Sequence, residues 1–296
     1  MLDIVLRDIE SGLTADLSKG GFIYHIFSRI KSVESTKLKI ENKAKEYKEK
    51  GKRMQDLLGL RVTLYFSDDV EILHQYLKAK PNFLDETIDK DDEKTFCPKR
   101  LNIIMKVPED WRNEMQLYLK QLYSDSVDMI DLTYEIQIRT ILSEGWHEVE
   151  HDFRYKCKED WAGFTEEARL LNGIFATLEN CEWSMLTLFD RMAYSFYNSH
   201  NWTNMIRNKM RIRFADKSIS EGISTLLNEK QLLAKNLFRT PRSKVIRAMM
   251  EKDFIFPLKY DTVVHLMNRL EVKDLMLANL ENKILSERLD KLLGKI

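Results

Sequence analysis

Strand-like patterns stand out in three stretches of the chain, GLRVTLYF at 59–66, LNIIMKV at 101–107 and LTYEIQIRT at 132–140, and apolar and polar positions alternate with a period of two in the first and third. All three are rich in β-branched or aromatic residues, which predicts strands. Helical spacing dominates before Asp56, over 70–80, over 109–123 and from 141 to about 196. After YNSHNWTN the strand signal stops, and 205–296 reads as several helices punctuated by Pro241 and Pro257. The order predicts a mixed α/β core with helical flanks, then a helical region, with a boundary near residue 200. MLDIVLRDIESGLTADL carries Asp3, Arg7, Asp8 and Glu10 inside its apolar rhythm, so it reads as an amphipathic helix rather than a signal peptide. No run reaches membrane-spanning length.

In 132–140 the alternation sets Tyr134, Ile136 and Ile138 on one face and Glu135, Gln137 and Arg139 on the other. In 59–66 it sends Leu60, Val62, Leu64 and Phe66 toward a core, with Arg61, Thr63 and Tyr65 opposite and Asp56 just before. A half-exposed strand gives the same alternation, so polarity alone does not make a site. Two strands that each offer an acid and an arginine do suit phosphoryl chemistry. Magnesium there takes one or two carboxylates plus phosphate oxygens, and catalysis is mostly positioning and charge stabilisation. SRIKSVESTKLK adds Arg29, Lys31, Lys37 and Lys39 with the hydroxyls of Ser28, Ser32, Ser35 and Thr36. Neither GxxxxGK[ST] nor GxGxxG occurs, which disfavours P-loop and Rossmann modes of nucleotide binding.

Over 296 residues, 47 basic side chains balance 47 acidic ones, so bulk attraction to nucleic acid is not written into the composition. The distribution is uneven: 201–296 holds 19 Lys plus Arg against 11 Asp plus Glu, which suggests two units with different partners. The lysine-rich run KLKIENKAKEYKEKGKR at 37–53 reads equally as a solvated helix or a phosphate-facing one. Three cysteines without a CxxC pair suggest neither a disulfide framework nor a cysteine-based zinc site and fit a reducing, cytoplasmic setting.

SRIKSVEST, DLLGLRVTLYFSDDV, YEIQIRT and then W-x-x-x-E-H-x-x-x-Y-K follow one another in the order of RelA/SpoT synthetase domains, which this chain resembles over 28–156. The resemblance implies a nucleotidyltransferase-like mixed β-sheet flanked by helices over 1–198. Residues 199–296 would then be a helical C-terminal domain for regulation, oligomerisation, or RNA or partner binding. It implies that Arg29, Lys31 and Ser32 hold the ATP phosphates with Arg61 over the donor, and that Asp56 and Glu135 bind Mg2+. Glu135 would help deprotonate the acceptor hydroxyl, making Glu135, Asp56 and Arg61 the catalytic set. Gln137, Arg139 and His151 would line the acceptor side, with Glu150, Tyr155 and Lys156 shaping it. The implied reaction moves the β,γ-pyrophosphate of ATP to a ribose hydroxyl of a guanosine nucleotide, or, as in toxin-like members, of another nucleotide or the 3′ end of tRNA. A protein regulator or antitoxin and a homo-oligomer fit such an enzyme; a membrane does not.

The chain departs from the family where a loop reading roughly NGYRSLH stacks a tyrosine on guanine. TFCPKRLNIIMKVP stands there instead, which brings Lys99, Arg100 and Asn102 into the acceptor neighbourhood. Losing a stacked ring removes about 1 to 3 kcal/mol per base unless another ring substitutes. Two other readings compete. His147-Glu148-Val149-Glu150-His151 matches the zinc metallopeptidase pattern HExxH, although the same residues fall inside the W-x-x-x-E-H segment. A catalytically silent binding module would have lost its metal ligands, and Asp56 and Glu135 are both present. The dipeptide His151-Asp152 lacks the upstream histidines of a metal-dependent alarmone hydrolase.

Overall fold

The two strongest alternations become neighbouring strands. In the computed structural model, which describes residues 1–49, 51, 53–89, 101–251 and 254–294, the first elements are a helix α1 (Leu2–Gly20), a strand β1 (Tyr24–Ile30) and helices α2 (Val33–Asn42) and α3 (Ala44–Glu49). Strand β2 (Leu58–Leu64), helix α4 (Ser67–Lys78), strands β3 (Phe83–Ile88) and β4 (Leu101–Lys106), helix α5 (Glu109–Leu122) and strand β5 (Thr133–Thr140) follow. The five strands form one sheet in the order β1-β2-β5-β4-β3. Only β2 and β5 run parallel; the other three pairings are antiparallel. Leu58, Leu60, Val62 and Leu64 of β2, Tyr134, Ile136 and Ile138 of β5 and Ile103 and Met105 of β4 are buried. Helix α4 packs on β2, β4 and β5, with Ile72, Leu73, Tyr76 and Leu77 buried.

Helical spacing before Asp56 is corrected in one place: Tyr24–Ile30 is an edge strand, antiparallel to β2. The β-branched and aromatic residues of YHIFSRI favour the pleated conformation, and β2 supplies the ladder partner that an isolated helix would forgo. Strand β3 is likewise added at the opposite edge. The helical rhythm from 141 onward is also interrupted. Helix α6 (Ile141–Glu150) passes into a π turn at His151–Tyr155 and a 3-10 turn at Lys158–Trp161 before the long α7 (Thr165–Asn198) begins.

The chain separates into two compact units, Met1–Thr14 with Tyr24–Asn180, and Ala15–Ile23 with Cys181–Ile296. The second unit adds α8 (Trp202–Met210), α9 (Glu221–Glu229), α10 (Gln231–Arg239), α11 (Arg242–Glu251), α12 (Tyr260–Met267), α13 (Leu275–Ala278) and α14 (Lys283–Leu293). Its core gathers Met205, Ile206, Leu227, Leu237, Ile246, Met249, Val263 and Met267. Gly21 adopts φ +71°, and a Cβ there would lie 2.8 Å from Leu258 and 2.9 Å from Ile212, so both backbone and space require glycine. Buried Arg269 ties α12's continuation to α14: its guanidinium meets Glu281 at 2.5 Å and Asp290 at 2.6 Å. Removing one partner of such a buried pair leaves an uncompensated charge. Among the described residues no helix is long and apolar enough to cross a membrane.

Ile136 is 1% exposed at the centre of the sheet. Ile136→Ala is expected to destabilise the first unit by about 2 to 5 kcal/mol, read as a lower urea midpoint with an unchanged slope.

Candidate active site

Strand register builds the polar face row by row, because residues directly opposite each other in a ladder project to the same side. Arg29, Gly59 and Glu135 make one row; Phe27, Arg61, Gln137 and Asn102 make the next; His25, Thr63 and Arg139 make the third. The capping box at the end of β5 then turns the chain directly into α6. Thr140 Oγ1 accepts from the Ser143 amide and Ser143 Oγ accepts from the Thr140 amide, both at 3.1 Å. One helical turn apart on α6, Glu144 and Glu148 face the arginines of the sheet.

The residues Phe27, Arg29, Asp56, Arg61, Glu135, Gln137, Glu144, Glu148, His151 and Lys156 line a cleft of about 500 Å³. A neighbouring cavity of about 460 Å³ shares Arg29, Arg61, Gln137, Glu148 and His151 and adds Arg139, His147 and Tyr155.

Several charges in and beside the cleft are held by opposite charges, often in shared contacts. Lys31 and Lys39 both donate to Asp56 Oδ2, at 2.5 and 2.6 Å. Burial pushes the Asp56 carboxyl up, but these two hydrogen bonds outweigh it and hold the group below its ordinary value. Burial holds the Lys31 ammonium below its own ordinary value in spite of Asp56. Arg61 reaches Glu144 at 2.5 Å and pairs with Glu148 as well. Burial would lower its guanidinium, yet the two glutamates raise it. Arg139 takes the other oxygen of Glu144 at 2.9 Å. Burial, helped by the nearby Arg61, lowers Arg139 despite that partner.

Glu135 is oriented by amides. Asn102 donates to its Oε1 at 2.8 Å and Gln137 to its Oε2 at 3.0 Å. Gln137 Oε1 in turn accepts from Arg61 and Arg139, each at 3.4 Å. Asp56 Oδ1 is buried and without a hydrogen-bond partner. A buried carboxylate oxygen with no donor is the kind of atom that a hard divalent cation satisfies. With Glu135 lining the same cleft, the donor set fits Mg2+ together with phosphate oxygens. Among the described residues no group of three or more His, Cys, Asp or Glu side chains is placed to hold a metal by itself.

Comparison with known proteins gives this geometry a family. Residues 28–160 match the model described as "Region found in RelA / SpoT proteins". Two curated relatives come from Bacillus subtilis (strain 168). GTP pyrophosphokinase YwaC is 30% identical over 143 residues, 47% of this chain and 61% of that protein. GTP pyrophosphokinase YjbM is 31% identical over 103 residues, 35% of this chain and 43% of that protein. The chain thus spans less than two thirds of either relative. Among solved structures, small alarmone synthetase 2 from Bacillus subtilis aligns with a TM-score of 0.45 at 20% identity, over 62% of this chain and 94% of that one.

Within the RelA/SpoT region the structure brings Arg29, Asp56, Arg61, Glu135, Gln137 and His151 to one cleft, with Arg139 in the adjoining cavity. Lys31 reaches the cleft through Asp56, and Asn102 through Glu135. Ser32 does not line it: its Oγ caps α2, accepting from the Ser35 amide at 3.1 Å. Lys99 and Arg100 lie outside the described residues. The HExxH segment is divided between two environments. His147 is buried edge-on to Trp146, His151 stacks on Tyr155 at 5.7 Å, and Glu148 is engaged by Arg61 rather than held between the two rings.

Lys39, one of the candidate cations, sits on Asp56. Geometry also adds residues outside the expected site: Glu144 and Glu148 sit on Arg61, and Phe27 is 57% exposed in the cleft. The i, i+4 spacing of the two glutamates does not by itself distinguish them from solvent-facing acids, whereas the His25-Phe27-Arg29 alternation was the signal for Phe27.

Burial, then the charges of Arg139 and Arg61, lower His147 from 6.5 to about 4. A histidine depressed in the folded state stays neutral while the unfolded chain takes up a proton, so stability is full above pH 6.5 and falls as pH drops toward about 4. We expect this to remove about 3 kcal/mol across that window. His147→Leu should flatten that part of the pH–stability curve in urea titrations.

Proposed function

We propose that this protein is a Mg2+-dependent pyrophosphokinase that moves the β,γ-pyrophosphate of ATP to a ribose hydroxyl of a guanosine nucleotide. The observation that carries the reading is the cleft itself. Asp56, two residues before β2, and Glu135, within β5, share it with Arg29 and Arg61, within a stretch that matches the RelA/SpoT model. The names of the two GTP pyrophosphokinases support the choice of acceptor.

In this reading Arg29, Lys31 and Arg61 neutralise the triphosphate, and Lys39, already on Asp56, adds a further cation. Ser32 contributes by fixing the start of α2 beside them. Mg2+ held by Asp56 and Glu135 supplies charge neutralisation on the phosphate oxygens. The acceptor hydroxyl oxygen bonds to the β-phosphorus, the bond from that phosphorus to the bridging oxygen of the α-phosphate breaks, and AMP leaves. Glu135, aimed by Asn102 and Gln137, takes the hydroxyl proton. Arg139, His151, Asn102 and Gln137 form the acceptor side. The stacked His151–Tyr155 pair there offers an aromatic surface in place of the family's loop tyrosine. Residues 1–198 would form the synthetase domain, and 199–296 a helical domain serving it in the cytoplasm.

The test offers γ-labelled ATP and magnesium with GDP, GTP, no acceptor, or bulk tRNA, and resolves where the label goes. Transfer to a guanosine nucleotide is the expected result. Label on tRNA would replace the acceptor, and absence of transfer to every acceptor would overturn the enzyme reading. Glu135→Gln should lower turnover by at least about 10²-fold while leaving the urea midpoint in place. A fully active variant would remove Glu135 from the mechanism.

A further inference from the structure

The basic surplus of 201–296 is not spread evenly. Residues 191–215 contain five Lys plus Arg and no Asp or Glu, and residues 230–250 contain six and again none, in a chain whose total charge is zero. Segregation of this kind within a neutral chain is a local electrostatic feature. Both acid-free windows fall in the second compact unit, and folding brings them together through aromatic rings.

Tyr194 and Tyr197 at the end of α7 stack at 6.4 Å, and Phe238 of α10 meets them at 6.1 and 5.3 Å. Trp202 at the start of α8 lies 6.1 Å from Tyr197 and stacks on His200 at 5.1 Å. Lys209 of α8 lies over the Phe238 ring at 5.4 Å. Lys235 precedes Phe238 by three residues and Arg239 by four, so the three share one face of α10, and Lys235 and Arg239 are exposed. Elsewhere in these windows Arg211 pairs with Asp190, Lys230 with Asp274 and Lys244 with Glu271. The cations gathered around the rings are Lys209, Lys235 and Arg239.

Tyr194 is 56% exposed although it belongs to this ring cluster. An exposed ring among cations, with no carboxylate in either contributing segment, matches what a single nucleic-acid strand requires. Positive charge follows the phosphates, and π-faces accept unpaired bases without regard to sequence. A protein partner would bring carboxylates to the cations but would leave the half-exposed tyrosine with no particular role. We propose that the α7 end, α8 and α10 form a binding surface for single-stranded nucleic acid, with Tyr194 as the base-stacking residue and Lys209, Lys235 and Arg239 as phosphate contacts.

The test is fluorescence anisotropy of the full chain, without ATP or magnesium, on a fluorescein-labelled oligoadenylate of about 12 nucleotides. It is therefore read independently of the synthetase reaction. With the three phosphate contacts formed, the affinity should fall roughly 20-fold between about 50 and 200 mM salt. Tyr194→Ala should weaken binding about tenfold and Tyr194→Trp should restore it. Lys235→Glu with Arg239→Glu should weaken it further and reduce the salt slope. Either the ribo- or the deoxyribo-oligonucleotide as the better ligand supports the surface. Failure to bind either strand would overturn it. So would inorganic polyphosphate competing equally per charge with Tyr194→Ala unchanged, since that describes charge without bases.

Discussion

The parallel pairing of β2 with β5 is the constraint on which the site depends. It sets Gly59 beside Glu135 and Arg61 beside Gln137, so two segments more than seventy residues apart present their polar alternates to one cleft. A slip of one residue would exchange Glu135 for Tyr134 and Arg61 for Leu60 on that face. The burial of Leu58, Leu60, Val62, Tyr134, Ile136 and Ile138 on the reverse side makes such a slip costly. The hydrophobic half of each strand therefore fixes the position of the chemical half. The residue opposite Glu135 is a glycine, so no side chain stands between Arg29 and the carboxylate.

A second regularity is that several of the site's cations are held by its own anions. Arg61 holds Glu144 and Glu148, Arg139 holds Glu144, and Lys31 with Lys39 holds Asp56. Bringing so many charges into a partly dry cleft would be expensive without partners, and these partners keep the site folded before a ligand arrives. The arrangement is asymmetric in exposure. The Glu144 side chain is 11% exposed and anchors two arginines, whereas the Glu148 side chain is 55% exposed and can yield its share of Arg61 to an entering anion. Asp56 is asymmetric in another way, with both ammonium groups on one oxygen and the other oxygen bare.

Strands β2 and β5 were legible in the sequence because apolar and polar residues alternate along them, and β4 because it carries a run of buried apolar residues, Ile103, Ile104 and Met105. Strands β1 and β3 were not. Both are edges, with burial patterns that barely alternate, and charged residues such as Asp85 and Glu86 blur any apolar face. The same logic governs the site. Asp56, Arg61 and Glu135 stood out because polar residues interrupt or alternate with buried ones. Glu144 and Glu148 did not, since acids one turn apart on a helix look the same whether they face solvent or an arginine. The basic surplus after residue 200 was legible as a number. Its concentration around Tyr197 and Phe238 needed the packing of three helices, which periodicity does not encode.

The amide pair beside Glu135 has a consequence for how the face works as a unit. Gln137 gives its donor to Glu135 and its acceptor to two arginines, while Asn102 gives a donor to the other oxygen of Glu135. Neither carboxylate oxygen can rotate without breaking a bond to a strand that is itself fixed by the ladder. Glu135 is thereby preorganised, which lowers the reorganisation needed when charge develops near it. Motion of Arg61 toward an anion is felt at Gln137, and through Gln137 at Glu135. Donor-side charge and the proposed base are thus coupled through a single amide, and that coupling exists because β5 places the two side chains two residues apart on the same face.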